Sequence, residues 1–381
     1  MSNYKQLHII THDVPWPVDH GGYFDIFYKL KALQQQGVEI HLHCFTSGRT
    51  EQGELKRYCS TVSYYKRKKN IFKLFSSLPF IVSTRDCLQL LADLNKDDHP
   101  VLFEGIHTTH PLFTGKLSER KTIIRLHNVE YEYYHQLAKN EKSFFKKWFF
   151  NRESRLLKKY EKSLADKNFY FSVSESDAKK YRNDLDAQQI EYLPVFLPYT
   201  LAAGKEGKGC FCLYHGNLEV NENEEAAIWL IKNVIEACHA DVGGISFIIA
   251  GRSPSKKLQA LCSRHSNCCI VPDPSDEEMK DLIAKAQVHV LPSFNNTGVK
   301  LKLLNALFNG RHCVVNEATV ADSSLGNYCH IASTADDFCK KVKQLFETDF
   351  TEADIQKRQG LLQYEFNNDV NAKRIIETLG L

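Results

Sequence analysis

Apolar and polar positions along the first half of the chain predict strands alternating with helices. The apolar run LHIIT (7–11) is followed by a loop containing two glycines, and apolar residues then recur at helical spacing from Phe24 to Leu33. Gly37 ends this helix, and the strand VEIHLHCF follows at once. A strand, a glycine loop, a helix and a strand in this order are typical of a parallel sheet. Further strands are predicted at 101–106, 122–127 and 168–174.

The second half repeats this alternation more regularly. Ser275 and Glu278 have the spacing of a capping box and predict a helix start, and Gly310 predicts the end of a helix that begins at Gly298. Short strands separated by helices predict a second doubly wound parallel sheet. The predicted strands are 211–215, 245–251, 268–271, 288–292 and 312–316.

A chain of 381 residues is too long for one ordinary core, so two domains are expected. We place the first at 1–195 and the second at 210–350, with a linker at 196–209 that is rich in proline and glycine. The helical segment 351–381 is expected to pack back toward the first domain. Two open α/β sheets bind ligands at the carboxyl ends of their strands, so the predicted ligand site is a cleft where these ends face each other.

Composition excludes several classes of protein. Hydrophobic residues make up 43% and charged residues 25%, as in globular proteins. The net charge is only +3, and aromatic and basic residues do not alternate as base stacking would require, so a nucleic-acid partner is not expected. Residues 1–195 carry 30 Lys and Arg against 23 Asp and Glu, which makes this half the one to meet an anionic partner.

The location predicted from the sequence is cytoplasmic, with peripheral contact at the inner face of the membrane as an open alternative. The first residues do not read as a signal peptide, and the sequence has no run of eighteen apolar residues. Two basic, aromatic segments, 64–82 and 142–167, could dock on anionic lipid. For 142–167 the favoured interpretation is an ordinary amphipathic helix with Phe145 and Phe149 in the core.

Four segments carry a family resemblance through their order and spacing. They are the loop 15–22, RLHNVEY at 125–131, VSESD at 173–177, and a last segment that runs from Pro292 through GVKLKLLNAL to Val315. Together they resemble the glycosyltransferase family 4 group, whose fold is GT-B: two Rossmann-like domains facing across a cleft. The resemblance implies transfer of a sugar from a nucleotide-sugar to an acceptor with retention of configuration. It implies no metal and no cofactor besides the donor substrate.

The resemblance places the donor in the second domain. Gly298 would begin a helix whose free N–H groups and dipole suit a diphosphate, with Lys300 and Lys302 in its first turn. The alternative is that these lysines are solvated surface charges. The remaining residues assigned to donor binding are Gly216, Asn217, Arg252, Thr297, Val299 and Asn305.

The sequence departs from the family at a pair of glutamates that contact the donor. Thr297 and Asn305 stand at the matching positions, and neither side chain carries a charge. One interpretation is a divergent enzyme that holds the diphosphate with its lysines and helix end. The alternatives are a degenerate, non-catalytic binding protein and another GT-B nucleotide-sugar enzyme, such as an epimerase.

In the first domain, the predicted catalytic residues are His127 and Glu104. His127 matches a family histidine that reaches the donor sugar, and it ends a predicted strand. Glu104 could position the acceptor hydroxyl or remove its proton, although a solvated carboxylate at a strand end is an equal alternative. Acceptor contacts are assigned to Asp19, His20, Gly21, Gly22 and His107, and the acceptor is expected to be a glycan or a lipid-linked molecule in surface polysaccharide synthesis.

Overall fold

The structure is a computed structural model that describes residues 5–381, except 19–20, 69, 116, 118, 237–243, 295–298 and 322. The chain divides into two compact units. The first comprises Met1–Pro198 and Phe366–Leu381, and the second is Tyr199–Glu365. The segment predicted as a linker, 196–209, is therefore shared between the units. The C-terminal helices are also shared, since only the last of them belongs to the first unit.

The first unit is built on a seven-stranded parallel sheet. Its strands follow the order β3-β2-β1-β4-β5-β6-β7. The central strands are buried along nearly their whole length because helices cover both faces of a parallel sheet. The strands are β1 (Lys5–Thr11), β2 (Val38–Thr46), β3 (Thr61–Lys66), β4 (Val101–Glu104), β5 (Thr122–Leu126), β6 (Phe169–Ser172) and β7 (Ile190–Tyr192).

The second unit contains a six-stranded parallel sheet with the order β10-β9-β8-β11-β12-β13. Its strands are β8 (Cys212–Asn217), β9 (Phe247–Arg252), β10 (Cys268–Pro272), β11 (Val288–Val290), β12 (His312–Val315) and β13 (His330–Ile331). The prediction of an α/β fold with two parallel sheets is thus confirmed. The sequence missed β3, β7 and β13, because β3 is an edge strand of mostly half-buried residues and the other two are only two or three residues long.

Both sheets reverse their strand order at an equivalent place. In the first unit the chain builds outward from β1 through β2 to β3, and then returns to place β4 on the other side of β1. In the second unit β8 lies between β9 and β11 in the same way. In open parallel sheets, ligands bind outside the carboxyl ends of the strands at this reversal point.

Along the chain, helices alternate with the strands, as in repeated βαβ units. Those of the first unit are α1 (Gly21–Gln35), α2 (Phe80–Ser83), α3 (Leu88–Leu94), α4 (His110–Phe113), α5 (Glu130–Asn140), α6 (Phe144–Ala165) and α7 (Glu175–Leu185). Those of the second are α8 (Asn221–Leu230), α9 (Lys256–Cys262), α10 (Asp276–Lys285), α11 (Leu301–Asn309), α12 (Glu317–Val320), α13 (Ala335–Glu347) and α14 (Glu352–Tyr364). The last helix, α15 (Asn368–Leu379), returns to the first unit. Within the described residues, no helix combines the length and the apolar character needed to cross a membrane.

Helix α15 is part of the core of the first unit. Ile375, Ile376 and Leu379 are buried in the same apolar cluster as Ile26 and Leu30 of α1. Arg374 also donates to the carbonyl of residue 192, next to the end of the sheet. Of the C-terminal segment predicted to pack back toward the first domain, α15 does so, whereas α14 is part of the second unit.

The favoured interpretation of segment 142–167 is wrong at its beginning. The second half of α6 is buried through residues such as Leu157 and Tyr160, as an amphipathic helix should be. Phe145, however, is 81% exposed, and the neighbouring Phe144 and Trp148 are also exposed. The first turns of α6 therefore present aromatic side chains to solvent and not to the core.

Candidate active site

A buried ion-pair network lies at the reversal point of the first sheet. Glu104, the last residue of β4, is completely buried, and its Oε1 lies 2.8 Å from Nζ of Lys29 on α1. Its Oε2 lies 3.0 Å from Nε2 of His127, which follows β5. Burial alone would raise the pKa of the Glu104 carboxyl, but Lys29 and His127 outweigh burial and hold this pKa below its usual value. Glu104 is therefore a carboxylate at neutral pH.

His127 is the member of this pair that can face a ligand. Its side chain is 16% exposed, whereas that of Glu104 is 0% exposed. A buried carboxylate that accepts from an imidazole fixes the orientation and the tautomer of the ring. Glu104 therefore acts as a positioning residue for His127, and direct contact between Glu104 and an acceptor hydroxyl would need this packing to open.

The arginine of the RLHNVEY segment has a structural role. Arg125 is completely buried, and its Nε and Nη2 donate to the two carboxylate oxygens of Asp25 at 3.1 and 3.0 Å. Asp25 also accepts from Lys29 at 2.9 Å and from the backbone N–H of Phe196. Arg125 further donates to the carbonyl of Leu193. This network ties β5, α1 and the segment after β7 together beneath His127.

Asp25, Glu104 and His127 bring their ligand atoms within 4.8 Å of one another, a spacing that would suit a metal ion. The ammonium group of Lys29 already lies 2.8–2.9 Å from both carboxylates. A protonated amine in that position supplies the charge that a metal would supply. We therefore interpret this cluster as an ion-pair network and not as a cation site.

Two further histidines lie beside His127. The ring of His12, which follows β1, is 5.4 Å from that of His107 and 6.4 Å from that of His127, measured between centroids. Burial lowers the pKa of His12 to about 3 and that of His107 well below its usual value, so both rings are neutral at pH 7. Burial raises the pKa of Glu130 to about 8, and its Oε1 lies 4.0 Å from Nδ1 of His107. The sequence prediction missed His12, although its place directly after β1 was a usable signal.

The predicted acceptor residues are only partly accounted for by the structure. Asp19 and His20 lie outside the described residues. Gly21 and Gly22 open α1, and a Cβ at Gly22 would lie 3.9 Å from Cε1 of His12. Gly22 and His107 therefore both lie next to the side chain of His12.

In the second unit, Lys302 on α11 lies against the end of β8. Its Nζ is 3.0 Å from Oδ1 of Asn223 and 3.2 Å from the hydroxyl of Tyr214, and it lies 4.9 Å from the centre of the Tyr214 ring. A Cβ at Gly216 would come within 3.7 Å of Cδ of Lys302. Burial, followed by repulsion from Lys300, lowers the pKa of Lys302 to about 8. Both hydrogen-bond partners are uncharged, and the attraction of Glu222 offsets the effects of burial and Lys300 only in part.

The neighbouring strand ends bring three of the predicted donor residues together. Asn217 and Arg252 are register partners on β8 and β9, and Arg252 is exposed. The carbonyl of Asn217 accepts from Nδ2 of Asn223 at 2.9 Å. Gly216 and Gly251 pair beside them, and a Cβ at Gly251 would lie only 1.9 Å from the carbonyl oxygen of Gly216. Glycine is therefore required at position 251. The sequence prediction missed Asn223 and Tyr214, which contact Lys302 only through tertiary packing.

The helix predicted from Gly298 differs from the observed one. Helix α11 begins at Leu301, with Lys300 at its N-cap, so Lys302 but not Lys300 lies in the first turn. Thr297 and Gly298 are outside the described residues, and Val299 is half-buried. Asn305 accepts a hydrogen bond from the side chain of Asn309, 2.8 Å away within the same helix. In this arrangement the Asn305 oxygen is used locally.

Comparisons with known proteins agree with this architecture. Residues 210–348 match the family model described as glycosyl transferases group 1. An uncharacterized 44.6 kDa protein in the cps region of Klebsiella pneumoniae is 28% identical over 316 residues, which cover 79% of this chain and 80% of that protein.

Solved structures share the fold over the whole chain. TarM has a TM-score of 0.69 at 11% identity and 99% coverage of both chains. A glycosyltransferase from Rickettsia africae has a TM-score of 0.67 at 12% identity, covering 99% of this chain and 98% of the other. Anabaena Alr3699/HepE, in complex with UDP and glucose, has a TM-score of 0.64 at 9% identity and 99% coverage of both chains.

The fold is therefore GT-B, as the sequence motifs predicted. Residues 210–348, within the second unit, match the glycosyl transferases group 1 model, and the whole chain shares its fold with solved glycosyltransferase structures.

Proposed function

We propose that this protein is a retaining glycosyltransferase that moves a sugar from a nucleotide-sugar to a glycan or lipid-linked acceptor in surface polysaccharide synthesis. The relative in a cps region supports the polysaccharide context. Structures of similar fold contain UDP, UDP-glucose or α-GlcNAc-glycerol, which supports a nucleotide-sugar donor. The retaining outcome rests on the resemblance of the sequence motifs.

The observation that carries the proposal is the environment of Lys302. An ammonium group held at the reversal point of a parallel sheet by two neutral oxygens is poised to receive an anion. A donor diphosphate would bring the missing negative charge close to Gly216, where the glycine leaves its backbone open to approach. Lys302 would then stabilise the charge that develops on the diphosphate as the sugar departs.

The first unit supplies His127. In the transfer, the bond from the anomeric carbon to the diphosphate oxygen breaks, a bond to the acceptor oxygen forms, and the proton of the acceptor hydroxyl passes to the departing diphosphate. We assign His127 to contact with the donor sugar, held in one orientation by Glu104. Lys29 and His127 keep Glu104 ionised, so that the imidazole stays oriented throughout the reaction.

We also propose that an aromatic and basic face of the first unit contacts anionic lipid. Phe72, Phe75 and the first turns of α6 expose aromatic side chains. The two segments are adjacent, because Arg152 of α6 donates to the carbonyl of Ser76 at 2.7 Å. Aromatic rings bordered by cations are typical of surfaces that insert shallowly among anionic headgroups. The exposed lysines near these rings are Lys66, Lys68, Lys142, Lys146 and Lys147.

Two alternatives follow from the uncharged residues at positions 297 and 305. A non-catalytic binding protein would keep the Lys302 site but not turn over its ligand, and an epimerase would convert the nucleotide-sugar without any acceptor.

The deciding experiment incubates the purified full chain with a panel of UDP-, GDP- and dTDP-sugars, with and without a lipid-phosphate acceptor, and follows nucleotide release and product by mass spectrometry. Acceptor-dependent release of nucleoside diphosphate is expected from one donor, and NMR of the product gives the anomeric configuration. Tight nucleotide binding without release would identify the non-catalytic alternative. A changed sugar without acceptor would identify the epimerase.

A further inference from the structure

The first unit contains a polar pocket to which the proposed transfer reaction assigns no role. It is a pocket of about 410 Å³ next to the histidine cluster. Its walls combine two arginines with aromatic rings and the neutral imidazoles described above. The residues that matter here are His12, Arg67, Phe80, Arg85, His107 and Phe149.

The two arginines are held in place by neutral groups. Arg67 donates through Nε to the hydroxyl of Thr84 at 2.8 Å. Arg85, next along the chain from Thr84, is 3% exposed and donates to the carbonyls of Ile81 at 2.6 Å and His12 at 3.0 Å. Among the described residues, neither guanidinium forms an ion pair with a carboxylate. The Nε atom of Arg85 is buried without a hydrogen-bond partner there.

The charge of this pocket is therefore not neutralised by its own walls. Burial and the nearby Arg67 lower the pKa of Arg85 to about 9, which leaves it protonated at pH 7. Asp13 also lines the pocket and offsets one of the two charges, while its Oδ1 accepts from the backbone of Val14 at 2.8 Å. Neutral His12 and His107 and protonated Glu130 add no further charge. One positive charge remains.

We propose that Arg67 and Arg85 bind the phosphate or pyrophosphate group of the acceptor substrate. The inference rests on the proposed function and narrows its acceptor to an anionic one. Guanidinium groups bind phosphate oxygens through two parallel N–H donors, and an anion between two arginines relieves their mutual repulsion.

The aromatic walls indicate where the rest of such an acceptor would lie. Phe80 and Phe149 are 6.1 Å apart, and the backbone N–H of Phe80 donates to Glu153 of α6. Phe149 belongs to the same helix whose first turns expose Phe144 and Phe145. A phosphate in the pocket could thus remain linked to a lipid chain that follows the aromatic face, and a free anion is the other source of the same chemistry.

The test measures ligand binding to the full chain without any donor, so it does not depend on transfer activity. Isothermal titration with inorganic phosphate, farnesyl phosphate and farnesol is carried out on Lys302→Met protein, so that the donor-site lysine does not contribute. Farnesyl phosphate below its micelle concentration is expected to bind, and Arg67→Gln in the same background is expected to weaken this binding about tenfold or more. Arg57→Gln, an exposed arginine of the same unit, is the matched control and should change nothing.

Each outcome decides between the sources or overturns the inference. Tighter binding of farnesyl phosphate than of inorganic phosphate identifies a lipid-linked anion, and equal binding identifies the anion alone. Equal binding of farnesol and farnesyl phosphate, or an Arg67→Gln protein that binds as well as its parent, overturns the site. A second variant is Arg85→Lys. Arg85 is buried, so lysine is chosen because it keeps the positive charge while it removes the guanidinium group, and this variant should also bind farnesyl phosphate more weakly. Failure of the donor proposal would appear separately, as unchanged nucleotide binding in Lys302→Met alone.

Discussion

The two sheets hold their buried cations in opposite ways. In the first unit, Lys29 and Arg125 are matched by the carboxylates of Asp25 and Glu104, and the whole network is closed within the fold. In the second unit, Lys302 is half-buried at the equivalent reversal point, and its hydrogen-bond partners are the hydroxyl of Tyr214 and the amide of Asn223. The strand order around the reversal point is the same in the two sheets.

We propose that this difference separates a cation that stabilises the fold from one that binds a ligand. A buried charge with a fixed counterion needs no ligand, and removing the counterion destabilises the protein. A buried amine with neutral partners has a lowered pKa and gains its full stabilisation only when an anion arrives. We therefore expect variants in the first network to change stability, and variants at Lys302 to change binding.

The largest effect is expected from Asp25→Asn. This change leaves Lys29 and Arg125 buried with one carboxylate between them, so the free energy of unfolding of the first unit should fall by about 3–5 kcal/mol. Urea unfolding followed by circular dichroism measures it, with Lys302→Met as the comparison. A loss below about 1 kcal/mol would contradict the role of the network, since surface pairs contribute no more than that.

His127→Asn should reduce turnover strongly while leaving stability nearly unchanged. The side chain is partly exposed, so its loss opens little space, but the contact with the donor sugar disappears. We expect kcat to fall about 100-fold, within the range for a group that assists transfer directly. Steady-state kinetics with the donor that the nucleotide-sugar panel identifies give this value, and His135→Asn, on α5, is the control. An unchanged kcat would remove His127 from the mechanism.

Lys302→Met should weaken binding of the donor nucleotide about 10- to 100-fold, the range for a lost charged hydrogen bond. Stability should stay the same or rise, because an amine that is penalised by burial is replaced by an apolar side chain. Calorimetric titration with the nucleoside diphosphate measures the affinity. The matched control is Lys285→Met, an exposed lysine of the same unit that pairs with Asp281. Equal losses in the two variants would mean that Lys302 is an ordinary surface charge.

The smallest effect is expected from pH. Burial lowers the pKa of Lys302 to about 8, so the amine of the free protein is charged below this pH and neutral above it. Affinity for the nucleoside diphosphate should be constant from about pH 6.5 to 8 and should then fall by up to about tenfold per pH unit, as one proton is taken up on binding. The Lys302→Met variant should lose this dependence. If the affinity of the wild-type protein instead increased as the pH is raised above 8, Lys302 could not be the group that binds the diphosphate.

Much of the fold was predictable because its signals are local. Apolar runs bounded by glycine and capping residues predicted β1, β4, β5 and the capped start of α10. Edge strands such as β3 were missed because their partly exposed residues do not form an apolar run. The start of α11 was placed three residues early, since glycine signals a turn but does not fix where helical hydrogen bonds begin.

The candidate site was likewise predictable from the sequence only in part. The sequence alone determined which side chains follow the strands, so Glu104, His127 and Lys302 were identified from strand ends and motif spacing. Only the tertiary structure decided what each of them contacts. It showed that Arg125 is a structural residue paired with Asp25, which is 100 positions away in sequence, and that Lys302 rests on neutral groups. The physical reason is that a charge acquires its role from its counterions and its burial, and both depend on residues that are distant along the chain.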